Sequence, residues 1–135
     1  MDLRGQLVGS GAAAGEVDFR VARRRVIADW RRGKVARNDV CDAHTELMRA
    51  ARNMGRATRR ICPICEDCTV VEVSYGFGKR MPPGGKLIET DAEIARLDKS
   101  ATEIACYTVE VCPACGWNHL TRLRPLGGRS ATVSG

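Results

Sequence analysis

Two short units of the same form, Cys62-Pro63-Ile64-Cys65 and Cys112-Pro113-Ala114-Cys115, constrain this 135-residue chain more than any other feature in it. A Cys-X-X-Cys turn aims two sulfurs at one centre, and two such turns supply the four thiolates of a tetrahedral zinc site. Proline fixes each turn, and Gly116 after the second pair relieves crowding where backbone amides turn toward the sulfurs. Whatever the chain folds into must bring the pairs together across the 46 residues between them. The expected cofactor is one structural Zn²⁺ held by Cys62, Cys65, Cys112 and Cys115.

Three other thiols and two imidazoles offer further donor atoms. Cys68 extends the first unit to Cys-X-X-Cys-X-X-Cys, but one Zn²⁺ needs only four donors, which leaves Cys68 spare. Cys41 and His44 have CxxH spacing without two further ligands to complete a second site, so they read as a buried thiol and a helix-cap histidine. His119, four residues past Cys115, reads as a hydrogen-bonding neighbour, and Cys106 in an apolar run as core. A lone Cys-X-X-Cys can also be a redox pair, but that role favours a helix N-terminus in a βαβ setting, whereas the second pair falls between two predicted strands. A closed Cys₄ site leaves no open position for water. No Ser/His/Asp constellation, phosphate-cradling glycine loop or HExxH accompanies it, and no small-molecule substrate is evident, so the chain reads as noncatalytic.

The seven cysteines are an odd count, which argues against complete disulfide pairing and for a reducing, cytoplasmic setting. No run of about 18 apolar residues predicts a membrane span. With only two Trp, two Tyr and two Phe, small aliphatic side chains must do most of the packing. The net charge of +6 is divided unevenly: residues 1–60 hold 14 Lys/Arg against 7 Asp/Glu, and residues 61–135 hold 8 against 9. A +7 segment favours contact with an anionic polymer or an acidic protein face, although such a segment can also be only a solvated helix surface.

Apolar residues at Phe19, Ala22, Val26, Ile27 and Trp30 mark one face of a first helix ending at Gly33. A second helix is expected from Asn38 or Asp39 to Gly55, with Val40, Ala43, Leu47, Ala51 and Met54 on its apolar face. Together they form an expected helical hairpin, with Arg56, Arg59 and Arg60 continuing its basic character. Thr69 to Tyr75 reads as a strand ending in a Gly76-Phe77-Gly78 turn, and residues 79–86 as a loop. Thr90 with Glu93 forms a capping box for a short helix through Leu97, and Ile104 to Val111 and Trp117 to Leu123 read as strands. The expected organisation is a flexible tail over 1–15, a basic helical hairpin over 16–60, a zinc-ribbon-like domain over 61–126 and a second tail over 127–135. The fold class is α+β: the hairpin precedes an antiparallel β domain with a helix-containing insertion between the two knuckles.

The segments Val40-Cys41-Asp42-Ala43-His44, Cys62-Pro63-Ile64-Cys65, Tyr75-Gly76-Phe77-Gly78 and Val111 through Leu120 resemble a family of small uncharacterised actinobacterial proteins known as a domain of unknown function. The resemblance covers roughly residues 16–126 and implies an actinobacterial cytosolic setting, with no reaction or ligand attached. The knuckles also look like those of zinc ribbons in transcription and translation proteins, an analogy at the level of fold. The functional expectation is a zinc module that docks on nucleic acid, or on RNA polymerase or the ribosome, through Arg23, Arg24, Arg31 and Arg32. A protein-interaction adaptor using the apolar helical face or the Tyr75 to Gly78 turn is the alternative, and a redox or zinc-dependent enzyme the remaining one.

Overall fold

The computed structural model describes residues 15–128. In chain order the elements are β1 (Val17–Asp18), α1 (Arg20–Arg31), α2 (Arg37–Val40), α3 (Thr45–Met54), β2 (Arg56–Ile61), β3 (Thr69–Phe77), β4 (Lys86–Ile88), α4 (Asp91–Asp98), β5 (Ile104–Val111) and β6 (Asn118–Leu126). The strands make one antiparallel sheet in the order β1-β6-β5-β3-β2, and β4 shares the outer edge of β3 with β2. β3 and β5 pair from Val71↔Val111 to Phe77↔Ala105 and form the sheet's centre. Each cysteine pair forms the turn of a hairpin, the first joining β2 to β3 and the second joining β5 to β6.

Alternation along β5 separates two environments. Tyr107, Val109 and Val111 point to one face, where α3 covers them with Leu47, Ala50 and Ala51 and where Val73, Leu120 and Leu123 complete the main core. Cys106, Thr108 and Glu110 point to the opposite face. There, apolar packing occurs in two separate clusters. One gathers Ile27, Val40, Cys62, Ile64, Val70, Cys112 and Trp117 around the knuckles, and the other gathers Ile88, Ile104, Cys106 and Leu126 under α4.

The expected second helix is two pieces. Asp39 lies inside the four-residue α2, where its carboxylate accepts from the Ala36 N–H, and α3 starts only after His44, whose Nδ1 caps the Glu46 N–H at 3.2 Å. The intervening Cys41–Ala43 stretch is held by the second knuckle instead: the Ala43 N–H donates to the Gly116 carbonyl at 3.1 Å. The two longer helices rest on the sheet, α1 against β6 and α3 against β3 and β5. Residues 56–61, read as a continuation of basic helical sequence, are an edge strand. Their Arg-Ala-Thr-Arg-Arg-Ile order has no apolar alternation to reveal it. Gly76 and Phe77 continue β3 rather than turning, and a side chain at Gly76 would press on Ile88 and Ile104.

α4 begins where expected, with Thr90 Oγ1 accepting from the Glu93 N–H at 3.0 Å. β5 matches its expected bounds, and β6 runs three residues past its expected end at Leu123. The expected tails lie outside the described residues except at Gly15, Gly127 and Gly128. Gly127 is buried with φ +74°, where any Cβ would collide with the Thr102 carbonyl oxygen, and its N–H donates to Asp98 at 3.3 Å. Gly127 and Gly128 therefore belong to the packed fold rather than to a tail.

Among the described residues, Glu110 is the one acidic side chain that is fully buried. Its Oε2 accepts from Trp117 Nε1 at 2.7 Å and from Arg23 Nη2 at 2.9 Å, and its Oε1 accepts from Arg60 Nε at 3.3 Å. Two guanidiniums and an indole thus meet the demand of a desolvated carboxylate. The Glu110→Ala variant is expected to lose about 3–5 kcal/mol of stability, because the largely buried Arg23 loses its carboxylate and the Trp117 indole its acceptor, while Arg60 keeps Glu72. Denaturant unfolding of the metal-loaded protein would check this.

Candidate metal centre

The sulfurs of Cys62, Cys65, Cys112 and Cys115 all lie within 4.8 Å of one another. Two of the distances between the knuckles, Cys62 to Cys115 and Cys65 to Cys112, are 3.7 Å. A tetrahedral ion with metal–sulfur bonds of about 2.3 Å would place its ligand sulfurs about 3.8 Å apart. The four cysteines therefore could hold a four-coordinate metal ion.

Local backbone geometry explains how each knuckle holds its sulfurs. The Cys62 and Cys112 N–H groups close their loops on the carbonyls of Cys68 and Trp117, each at 2.8 Å. Within the loops the Ile64 N–H reaches Cys62 Sγ, the Cys115 N–H reaches Cys112 Sγ and the Trp117 N–H reaches Cys115 Sγ, all at 3.4 Å. These donors stabilise thiolate charge, as outer-layer hydrogen bonds do in metal sites generally. The residue after each pair adopts a positive φ: Gly116 at 88° and Glu66 at 59°. Glycine is needed in the second knuckle, where a Cβ would press on the Cys41 carbonyl at 3.3 Å.

Burial pushes the Cys62 thiol up to about 11 and also raises that of Cys115. At Cys65 desolvation acts upward as well, but the Asp67 N–H and the Cys112 and Cys62 thiols outweigh it and bring the value down to about 7. The site thus pairs one readily formed thiolate with two thiols that hold their protons until a cation displaces them.

The surrounding residues divide clearly. Cys41 places its Sγ 3.5 Å from Cys115 Sγ, because the Cys41–Ala43 stretch docks on the second knuckle. Asn118 Nδ2 donates to Asp42 at 3.0 Å and Arg52 Nε to the Pro113 carbonyl at 3.3 Å, which ties the same stretch and α3 to this turn. Cys68 contributes its carbonyl to the first knuckle, and its thiol is raised by desolvation and by the charge of Cys112 and Cys65. His119 stacks on Trp117 with ring centroids 6.0 Å apart and donates from Nδ1 to the Leu120 carbonyl at 2.6 Å; burial lowers its pKa. His44 caps α3, and Cys106 packs in the core under α4.

Of the four arginines expected to face an anionic polymer, Arg23 turns inward to Glu110. Arg24, Arg31 and Arg32 are exposed, with Arg32 only 4.0 Å from Asp29 in an exposed pair. Glu110 and Trp117 were not picked out from the sequence. The signal was present: Glu110 is the lone charge in the otherwise uncharged run Ile104–Val111.

A family of unknown function, DUF5318, matches residues 12–134. The chain belongs to this family. It is similar to the uncharacterized proteins Rv0049 of Mycobacterium tuberculosis H37Rv and Mb0050 of Mycobacterium bovis. Each is 36% identical over 111 residues, covering 82% of this chain and 81% of the relative. No solved structure matches significantly. The relatives are mycobacterial, in line with the actinobacterial family that the knuckle segments resemble. No helix among the described residues is long and apolar enough to cross a membrane.

Serine at Cys62, Cys65, Cys112 or Cys115 is expected to abolish stoichiometric metal binding, whereas Cys41→Ser should retain one ion per chain in elemental analysis. Apparent metal affinity, measured by chelator competition, should fall as the pH is lowered. The thiolate is the ligand, so protons compete with the metal, and the fall steepens below about 7 as Cys65 also takes up a proton.

Proposed function

We propose that the chain is a noncatalytic, zinc-ribbon-like module in which one structural Zn²⁺ supports a basic ridge that docks on the phosphate backbone of a nucleic acid, free or within RNA polymerase or the ribosome. Four thiolates in a tetrahedral arrangement favour Zn²⁺, and their number leaves no coordination position for a reacting water. When bound, the ion would supply cross-linking of the two hairpin turns and nothing reactive.

The observation that carries the docking reading is the exposed side of α1. Arg24 and Arg31 are two helical turns apart, as are Arg25 and Arg32, so the four share one solvent face. Lys34 and Arg37 extend the charge past the helix end, and neither they nor Arg24, Arg25 and Arg31 have a carboxylate within ion-pair distance among the described residues. The opposite side of α1 sends Ile27 and Trp30 into the apolar cluster around Cys62 and Cys112. Metal site and ridge are thereby one packed unit. Arg25 takes the place in the contact set that Arg23 cannot fill while it neutralises Glu110.

Phosphate contacts of this kind carry little sequence information and release counterions, so binding should weaken steeply with salt. Replacing Arg24, Arg25, Arg31 and Arg32 together with Gln should flatten the plot of log affinity against log salt by about 3 to 4 for duplex DNA, about 0.9 per lost phosphate contact. Metal content should stay unchanged. Fluorescence anisotropy on duplex DNA and on single-stranded RNA provides the measurement. Equal affinity and slope for the variant and the parent protein would remove this reading, and a nuclease-resistant protein partner in affinity purification would replace it with the adaptor.

A further inference from the structure

Between the two apolar clusters on the polar face of the sheet lies a cleft of about 820 Å³, within the usual size range of small-molecule sites. The floor is made by Cys106 and Thr108, both buried, and Thr108 Oγ1 lies 3.0 Å from the Ser74 Oγ packed beneath it. α4 contributes an apolar wall through Ile94 and Ala95; Arg56, Arg122 and Arg124 line the sides with Glu16, Glu72 and Asp91 beside them, Arg122 pairing with Glu16 at 3.3 Å and Arg124 with Asp98 at 3.6 Å in partly exposed pairs that an incoming anion must compete with. The register places these groups together: Ser74 pairs with Thr108, Thr108 with Arg122, and Cys106 with Arg124.

The charges are not evenly matched with depth. Glu110, at the inner end, is already met by Arg23 and Arg60. Arg56 is only 20% exposed, yet its one carboxylate is Asp91, 3.6 Å away on a side chain that is 88% exposed. Such a rim pair is weak because water screens it. Arg56 Nη2 donates to Ser74 Oγ, while Nη1 is buried and has no hydrogen-bond partner among the described residues. An orphaned donor on a largely buried cation is unfavourable and calls for an acceptor. Gly55 holds this arginine in place: a Cβ there would collide with the Ala51 carbonyl and the Val71 side chain, so the turn from α3 into β2 is fixed immediately before Arg56.

We propose that this cleft binds a small phosphate monoester, with its phosphate between Arg56 and the Arg122/Arg124 pair and its organic body against Ile94 and Ala95. Guanidinium forks from opposite margins of the cleft, together with the Thr108 hydroxyl on its floor, suit a tetrahedral oxyanion with several acceptors better than a planar carboxylate with two. The site is separate from the exposed ridge of α1 and does not depend on that ridge touching nucleic acid.

Titration of the full-length, metal-loaded protein with inorganic phosphate, followed by amide NMR, is expected to give saturable shifts at Ser74, Cys106 and Thr108. Affinity should fall at least tenfold in Arg56→Gln and in Arg124→Gln, while the fourfold Gln variant of the α1 ridge binds phosphate as the parent does. If Arg56→Gln fails to fold, thermal upshift of the parent by phosphate, compared with acetate at equal ionic strength, decides the matter. Absence of saturable shifts, or acetate acting as strongly as phosphate, would overturn the assignment. Loss of phosphate binding in the ridge variant alone would assign the anion to α1 and equally overturn it.

Discussion

A carboxylate with no access to water must find counter-charge within the protein, and Glu110 finds it in three directions at once. Arg23 comes from α1, Arg60 from the edge strand β2, and the indole of Trp117 from the residue just past the second knuckle. The first helix, one margin of the sheet and the cysteine centre are therefore positioned relative to one another by a single side chain. An apolar residue would deprive Arg23, Arg60 and the indole of their shared acceptor and leave α1 held by Ile27, Trp30 and the Phe19 N–H bond to the Thr121 carbonyl. Hydrogen bonds to a fork-shaped anion are directional in a way that apolar contact is not.

The same network explains how the chain divides its arginines. The basic N-terminal segment looks uniform when only its charge is counted, yet Arg23 and Arg60 serve the interior, Arg56 lines a cleft, and Arg24, Arg25, Arg31 and Arg32 remain on the surface. Helical periodicity separates Arg23 from Arg24 by about 100° of rotation, enough to send one into the protein and the other into solvent. Neighbouring residues of identical chemistry thus acquire different roles from geometry alone.

What could be read directly from the sequence was whatever depends on short spacing. The knuckles, the capped start of α4 and the strand Ile104–Val111 are encoded within a few residues each, and the structure has them in those places. The edge strand β2 was hidden because its side chains mostly face water and neighbouring charges, so no apolar alternation marks it. The break between α2 and α3 was hidden for another reason: helical spacing runs through Cys41–Ala43, but hydrogen bonds to a knuckle some 70 residues away pull that stretch out of helical form. Gly127 looked like part of a small, polar tail until its burial against the Thr102 carbonyl made its lack of a side chain a requirement. Glu110 could have been found as a lone charge in an apolar run, though its partners could not.

The position of the cysteine pairs at the turns of two adjacent hairpins bears on how the chain checks its own assembly. The β3–β5 ladder sets the two turns side by side, and sliding that ladder by one residue would carry one turn about 3.4 Å past the other. Metal–thiolate bonds tolerate errors of only about 0.2 Å. A misregistered sheet could keep many of its backbone hydrogen bonds and still be unable to close the centre. An ion held there would thus reward correct strand alignment in addition to the apolar faces of β3 and β5, which already oppose a one-residue slip.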